Sequence, residues 1–182
     1  MDPKWILRDA YKTFTADQDK IADPQETVTT VRRRFAQQNL AVLAKTERID
    51  TGRLDIPVYV SVCGPDARAL TGTAKQMGKG ATPAQAEASA VMELVERFSF
   101  YSFAADPANF AEATRPEMGS DALPFEAIAA SVHDDAEDLE AAARVFDTIP
   151  FKWAMGANLT RGTDVLVPFE WFFAINEFNG TS

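Results

Sequence analysis

Hydrophobic residues recur along this chain with two periods, one near 3.6 and one of 2, and the stretches that carry them alternate. Val28, Val31 and Phe35 have helical spacing. Asp23-Pro24-Gln25-Glu26 before them supplies a cap, a first-turn proline and an acid at the positive helix end. The spacing predicts a helix from there to about Gln38-Asn39, then a short strand over 40–44. A second strand is predicted over 56–62, where Val58, Val60 and Val62 share a face and Pro57 sits at the start. Gly64-Pro65-Asp66 is a turn, and the stretch up to Gly78-Lys79-Gly80 has no clear pattern. Thr82-Pro83-Ala84-Gln85 opens the clearest helix, with Thr at the cap, Pro at the first helical position and Gln three residues after the cap. That helix is expected to reach about Phe100. The prolines and turn formers of 105–125 predict a loop, and the Ala-rich, acidic 125–144 an exposed helix. Phe151 to Leu159 and Asp164 to Val167 read as a hairpin across Thr160-Arg161-Gly162-Thr163. Residues 1–22 read as an arm carrying Trp5, Ile6, Tyr11 and Phe14. The expected class is α+β, a mixed or antiparallel sheet with packed helices.

Composition narrows the function classes. The chain has 182 residues, 46% of them apolar and 25% charged, which allows one domain with a sizeable core or one domain plus part of another. A net charge of -9 argues against binding the nucleic-acid backbone and against an anionic membrane surface. It leaves room for a nucleotide whose phosphates reach protein carboxylates through a divalent cation. Cys63 is the only cysteine and His133 the only histidine, so no disulfide, thiolate cluster or histidine metal site is expected within the chain. Cys63, at a strand end, is read as packing. The first residues lack a signal-peptide core and no run reaches transmembrane length, so a cytoplasmic protein is expected.

The helix over 82–100 carries the candidate chemistry. On a helical wheel Val91, Leu94, Val95 and Phe98 form one stripe, and Ser89, Glu93, Glu96 and Arg97 lie opposite. Glu93 and Glu96 are one turn apart, so their carboxylates can converge on a hard cation such as magnesium. The plain alternative is a solvated face with a Glu93–Arg97 surface pair. Glu87 fits neither, because it lies near the apolar stripe. Gly78-Lys79-Gly80 leads into the helix N-terminus, where amides and dipole favour an anion, but the rest of a Walker A loop is absent. A tight turn with an exposed Lys79 is the alternative.

In this order, Gly78-Lys79-Gly80-Ala81-Thr82, Gln85-Ala86 and Ser89-Ala90-Val91-Met92-Glu93-Leu94-Val95-Glu96-Arg97-Phe98 resemble the first signature of the YcaO family. Leu54-Asp55-Ile56-Pro57-Val58 before it, and Trp153, Leu159-Thr160-Arg161-Gly162 and Val165-Leu166-Val167-Pro168 after it, follow in the family's order. The likeness runs in separated blocks over roughly 12–182 and implies a YcaO-like fold. It also implies ATP and Mg2+ as cofactors, with Glu93 and Glu96 as magnesium ligands. The family contacts the nucleotide with a lysine and a hydroxyl residue seven positions later, which Lys20 and Thr27 match; Lys12 is a rival for the lysine. By the same resemblance Lys79 lies at the nucleotide, Ser89 approaches it or packs, and Arg97 pairs with or orients Glu93.

The activity implied is phosphorylation of a peptide backbone amide oxygen, giving an azoline or a thioamide. The partners implied are a peptide or protein substrate and an accessory protein that presents it or delivers sulfur. The family continues with a glycine-containing segment and a second acidic helix that this chain does not contain, so an incomplete domain, inactive alone, is expected. The ending Glu177-Phe178-Asn179-Gly180-Thr181-Ser182 is compatible with a truncated piece or a loosely ordered terminus. Phe169, Trp171, Phe172, Phe173 and Phe178 are expected to form an apolar patch that promotes self-association. A non-catalytic scaffold of the same fold and a plain α+β structural domain are the rival readings.

Overall fold

The computed structural model describes residues 9–12, 20–131 and 139–172. The chain divides into two compact units, Arg8–Ala105 and a second that begins at Asp106. Most of the arm read over 1–22, together with His133, Phe173 and Phe178, lies outside the described residues.

The first unit begins with helix α1 (Pro24–Gln37), which Asp23 caps by accepting from Gln25 N at 2.8 Å and Glu26 N at 3.2 Å. Asn39, at φ 54, turns the chain out of the helix. Strands β1 (Leu43–Arg48) and β2 (Val58–Cys63), helix α2 (Pro65–Thr71) and strand β3 (Lys75–Lys79) follow, then helix α3 (Pro83–Ala105). The sheet is antiparallel in the order β1-β2-β3. The strand expected over 40–44 starts at Leu43 instead. The stretch without pattern before Gly80 holds α2 and β3, and α3 runs five residues past Phe100.

Helix α3 lies against β2 and β3. Ala86, Ala90, Val91 and Leu94 are fully buried, and burying a leucine side chain stabilises by about 2 kcal/mol. Val42, Cys63, Ala67 and Leu94 form the core, with Phe35, Leu43 and Phe98 packed on it. Phe35 of α1 meets Phe98 of α3 edge to face at 6.1 Å. Buried Ser61 donates to Ala90 O at 2.8 Å, tying β2 to α3. A Cβ on Gly78 would overlap the α3 backbone at Ala86 and Ala90, and one on Gly80 would come within 2.6 Å of Ala86 N. Both glycines are thus fixed by close approach of sheet to helix.

The second unit holds the antiparallel sheet β4 (Phe110–Ala113), β5 (Phe151–Asn158) and β6 (Thr163–Pro168), in the order β4-β5-β6. The expected hairpin is β5–β6. The stretch read as a loop over 105–125 contains β4, two 3-10 turns and the short helix α4 (Arg115–Met118), capped by Thr114 and Glu117. The acidic stretch is two helices, α5 (Phe125–Ala129) and α6 (Leu139–Phe146), rather than one; residues 132–138 lie outside the described set. Trp153, 1% exposed, donates its indole N–H to Ala113 O at 2.8 Å and contacts Phe146 and Phe151. In the last described helix, α7 (Phe169–Phe172), Phe169 packs on Phe110 at 4.9 Å, while Trp171 and Phe172 stay exposed.

Candidate functional site

Three segments of the first unit converge on one cleft of about 930 Å³. Helix α3 contributes Gln85, Ser89, Met92, Glu93, Glu96 and Arg97, the end of β3 contributes Lys79 and Gly80, and α1 with the approach to it contributes Thr27 and Lys20. All seven residues singled out in the sequence line this cleft. Lys12, the rival of Lys20, does not.

Spacing and packing explain the convergence. With Ala86, Ala90, Val91 and Leu94 turned into the core, the wheel turns Ser89, Glu93 and Glu96 out of it. Glu93 is half-buried, whereas Ser89, Glu96 and Arg97 are exposed. Among the described residues the side chains of Glu93, Glu96 and Arg97 form no hydrogen bond or ion pair, so the i,i+4 surface pair of the alternative reading is not made. Glu87 of the same helix behaves otherwise. It accepts from Thr46 Oγ1 at 2.6 Å and faces Arg32 at 3.8 Å, while Arg32 donates to Thr46 at 3.0 Å. This trio joins α1, β1 and α3.

The helix N-terminus is occupied from within. Gln85 Oε1 accepts from Ala81 N at 3.0 Å and Thr82 N at 3.3 Å, and Thr82 Oγ1 accepts from Gln85 N at 3.2 Å. Three amides that would otherwise be open to an anion are already satisfied. Together with the close packing of Gly78 and Gly80 on α3, this makes the Gly-Lys-Gly segment, which is the end of β3 and not the tight turn of the alternative reading, a support for Lys79. Thr27 Oγ1 donates to Asp23 O at 3.0 Å, which leaves its oxygen only the acceptor role, and the residue lines the cleft.

The donor set can be judged by its chemistry. No group of three or more His, Cys, Asp and Glu converges among the described residues. Two carboxylates without protein partners suit an ion that keeps waters and takes its remaining ligands from phosphate, as magnesium does. Three cations, Lys20, Lys79 and Arg97, stand against those two carboxylates in a chain of net charge -9. The residues present fit a polyphosphate with a divalent ion.

Sequence reasoning missed Met92, which lies between the two polar turns of α3 and is 42% exposed. Spacing could have found it, because 85, 89, 92, 93 and 96 form one i,i+3/i+4 stripe. Met92 also lines a smaller hollow of about 330 Å³ between α1 and α3, with Val31, Phe35 and Val95.

A family model described as YcaO cyclodehydratase, ATP- and Mg2+-binding, matches residues 77–182, more than half of the chain. A YcaO protein from Methanopyrus kandleri, solved with AMPPCP and Mg2+, is similar at a TM-score of 0.53 and 22% identity, over 91% of this chain and 39% of that one. A heterocyclase in complex with substrate and cofactor is similar at 0.53 and 22%, over 82% of this chain and 22% of that one. At such identity these structures speak for the fold, and this chain spans well under half the length of either. No curated protein matches. No helix among the described residues is long and apolar enough to cross a membrane.

Proposed function

This chain belongs to the YcaO family, and from that premise we propose that its cleft holds a magnesium nucleotide and that the whole protein uses it to activate a peptide backbone amide oxygen. The observation that carries the proposal is the pair Glu93 and Glu96, turned into a cleft with Lys20, Lys79 and Arg97 and bonded to no described residue. Magnesium ATP, when bound, supplies the phosphoryl group that carries the amide oxygen away as phosphate.

The chain's own residues do the positioning. Glu93 and Glu96 hold the cation, and half-burial of Glu93 strengthens its attraction relative to open water. Lys20, Lys79 and Arg97 offset phosphate charge, and charge placed before the reaction costs no reorganisation during it. Thr27 presents an acceptor oxygen, which suits a nucleotide hydroxyl or amine better than a phosphate oxygen. Ser89 offers a hydroxyl on the same stripe. Each role is a proposal for the residue at that place.

A Cys, Ser or Thr side chain adding to the amide carbon leads to an azoline. Sulfide leads to a thioamide and requires a source of sulfur, for which an accessory protein is the natural provider. The test places a heavy-oxygen label on the substrate amide and follows it by mass spectrometry with the whole protein, ATP and magnesium. The label is expected in the released phosphate, with the peptide carrying either a new ring or a sulfur. Unlabelled phosphate would refute amide activation. Nucleotide binding without turnover on any peptide would favour a non-catalytic scaffold.

A further inference from the structure

The edge of the first sheet ends at the cleft, and among the described residues its outward backbone groups are unpaired. Cys63 N donates to Ala74 O at 2.9 Å and Gly80 N to Pro57 O at 3.4 Å. With Ser61 opposite Gln76 and Tyr59 opposite Gly78, the even-numbered residues of β3 exchange bonds with β2. The N–H and C=O groups of Lys75, Met77 and Lys79 therefore point away from β2. In the order β1-β2-β3 no described strand lies on that side. The side chains of the same three residues share the face turned from α3, because Gly78 between them abuts the helix. All three are exposed, Met77 by 60%, and Lys79 also lines the cleft.

We propose that this edge takes an extended, acidic peptide segment as a fourth strand, laying a substrate backbone along β3 toward the Lys79 end of the cleft. The proposal rests on the peptide-modifying reading above and names how the substrate is held. Strand addition recognises the backbone through its amides and tolerates varied side chains, which suits a reaction at a backbone amide.

Charge selects the occupant. Lys75 and Lys79 flank Met77 in a chain of net charge -9, and Glu47, on the same sheet face, is held chiefly by Lys45 at 2.6 Å and only more weakly attracted to Lys75. A second copy is a poorer fit. Two β3 edges paired antiparallel about Met77 would set Lys75 across from Lys79, placing like charges directly opposite. Lysines on an edge guard it against such pairing while leaving it open to an acidic strand.

The experiment uses the whole protein and a short capped peptide of alternating Glu and Val, with an analogue N-methylated on alternate amides. Hydrogen exchange is read at Met77 and Lys79 with and without saturating peptide. The two amides are expected to slow by about tenfold with the plain peptide and to stay unchanged with the N-methylated one. Met77→Pro removes an outward N–H that the ladder to β2 does not use. It is expected to bind the peptide about fivefold more weakly, with its magnesium-ATP thermal shift intact. Lys75→Glu is expected to prefer a Lys/Val peptide over the Glu/Val one.

No slowing in the unsubstituted protein overturns the proposal, whether or not the proline variant folds. So does equal binding of the N-methylated analogue. Slowing that follows protein concentration without peptide also overturns it, by making the edge a contact between copies. Absence of a magnesium-ATP shift in the unsubstituted protein would sink the cleft reading instead and leave the exchange result to judge the edge.

Discussion

Helix α3 carries three glutamates that the chain treats in two ways. Glu87, on its second turn, is held by Thr46 at 2.6 Å and faces Arg32 at 3.8 Å. Glu93 and Glu96, two turns further on, line a cleft and touch no described partner. The carboxylate that fits the wheel worst is thus the one satisfied from within, and the two that fit best are left open. A half-buried carboxylate without a partner is costly unless something outside the chain completes it. Glu87 fastens elements together, whereas Glu93 and Glu96 are arranged for a cation.

Substitutions should separate the two ends of the helix. The largest expected effect is on Glu93→Gln with Glu96→Gln. Magnesium-dependent ATP hydrolysis by the whole protein should fall by more than the roughly 100-fold that losing an outer-shell partner of a metal costs, with the melting temperature of the nucleotide-free protein unchanged. Glu87→Ala should do the reverse. Chemical denaturation should show a loss of about 2 kcal/mol, since a charge-assisted hydrogen bond is removed, with the nucleotide site retained. If Glu87→Ala abolished hydrolysis without lowering stability, the division would be wrong. Gln85→Ala, which frees Ala81 N and Thr82 N, should cost about 1 kcal/mol by the same measurement.

The smallest effect concerns a carboxylate outside the helix. Asp50 accepts from Arg48 at 2.7 and 2.9 Å and from Val58 N at 3.1 Å, which lowers its pKa from 3.8 to about 2, the hydrogen bonds from Arg48 being the leading cause. A depressed folded-state pKa gives stability that is present above the unfolded value and lost as pH falls through about 2. Asp50→Asn should flatten that part of the acid denaturation curve, and an unchanged curve would show that the pair is not populated in solution.

What the sequence disclosed was local, and what it hid was long-range. The caps at Asp23 and Thr82 depend on residues two to four positions away, so α1 and α3 were legible with their starts in place. The polar stripe of Ser89, Glu93 and Glu96 was legible for the same reason. Strand β3 was not, because its inward residues are Gln76 and Gly78, which no hydropathy pattern marks as core. Helix α2 was hidden because it buries only Ala67. The role of Glu87 needed a partner 41 residues away. Gly78-Lys79-Gly80 was read as an anion site or a tight turn, whereas it ends β3 and both glycines are set by the backbone of α3, a contact visible only once sheet and helix are packed.

Calorimetric titration of ATP into the whole protein, with and without magnesium, addresses the pair Glu93 and Glu96 most directly. Saturable binding that requires the metal, persists in Glu87→Gln and vanishes in the Glu93→Gln, Glu96→Gln double variant is the predicted result. Binding of equal strength without the metal, or undiminished in the double variant, would contradict it.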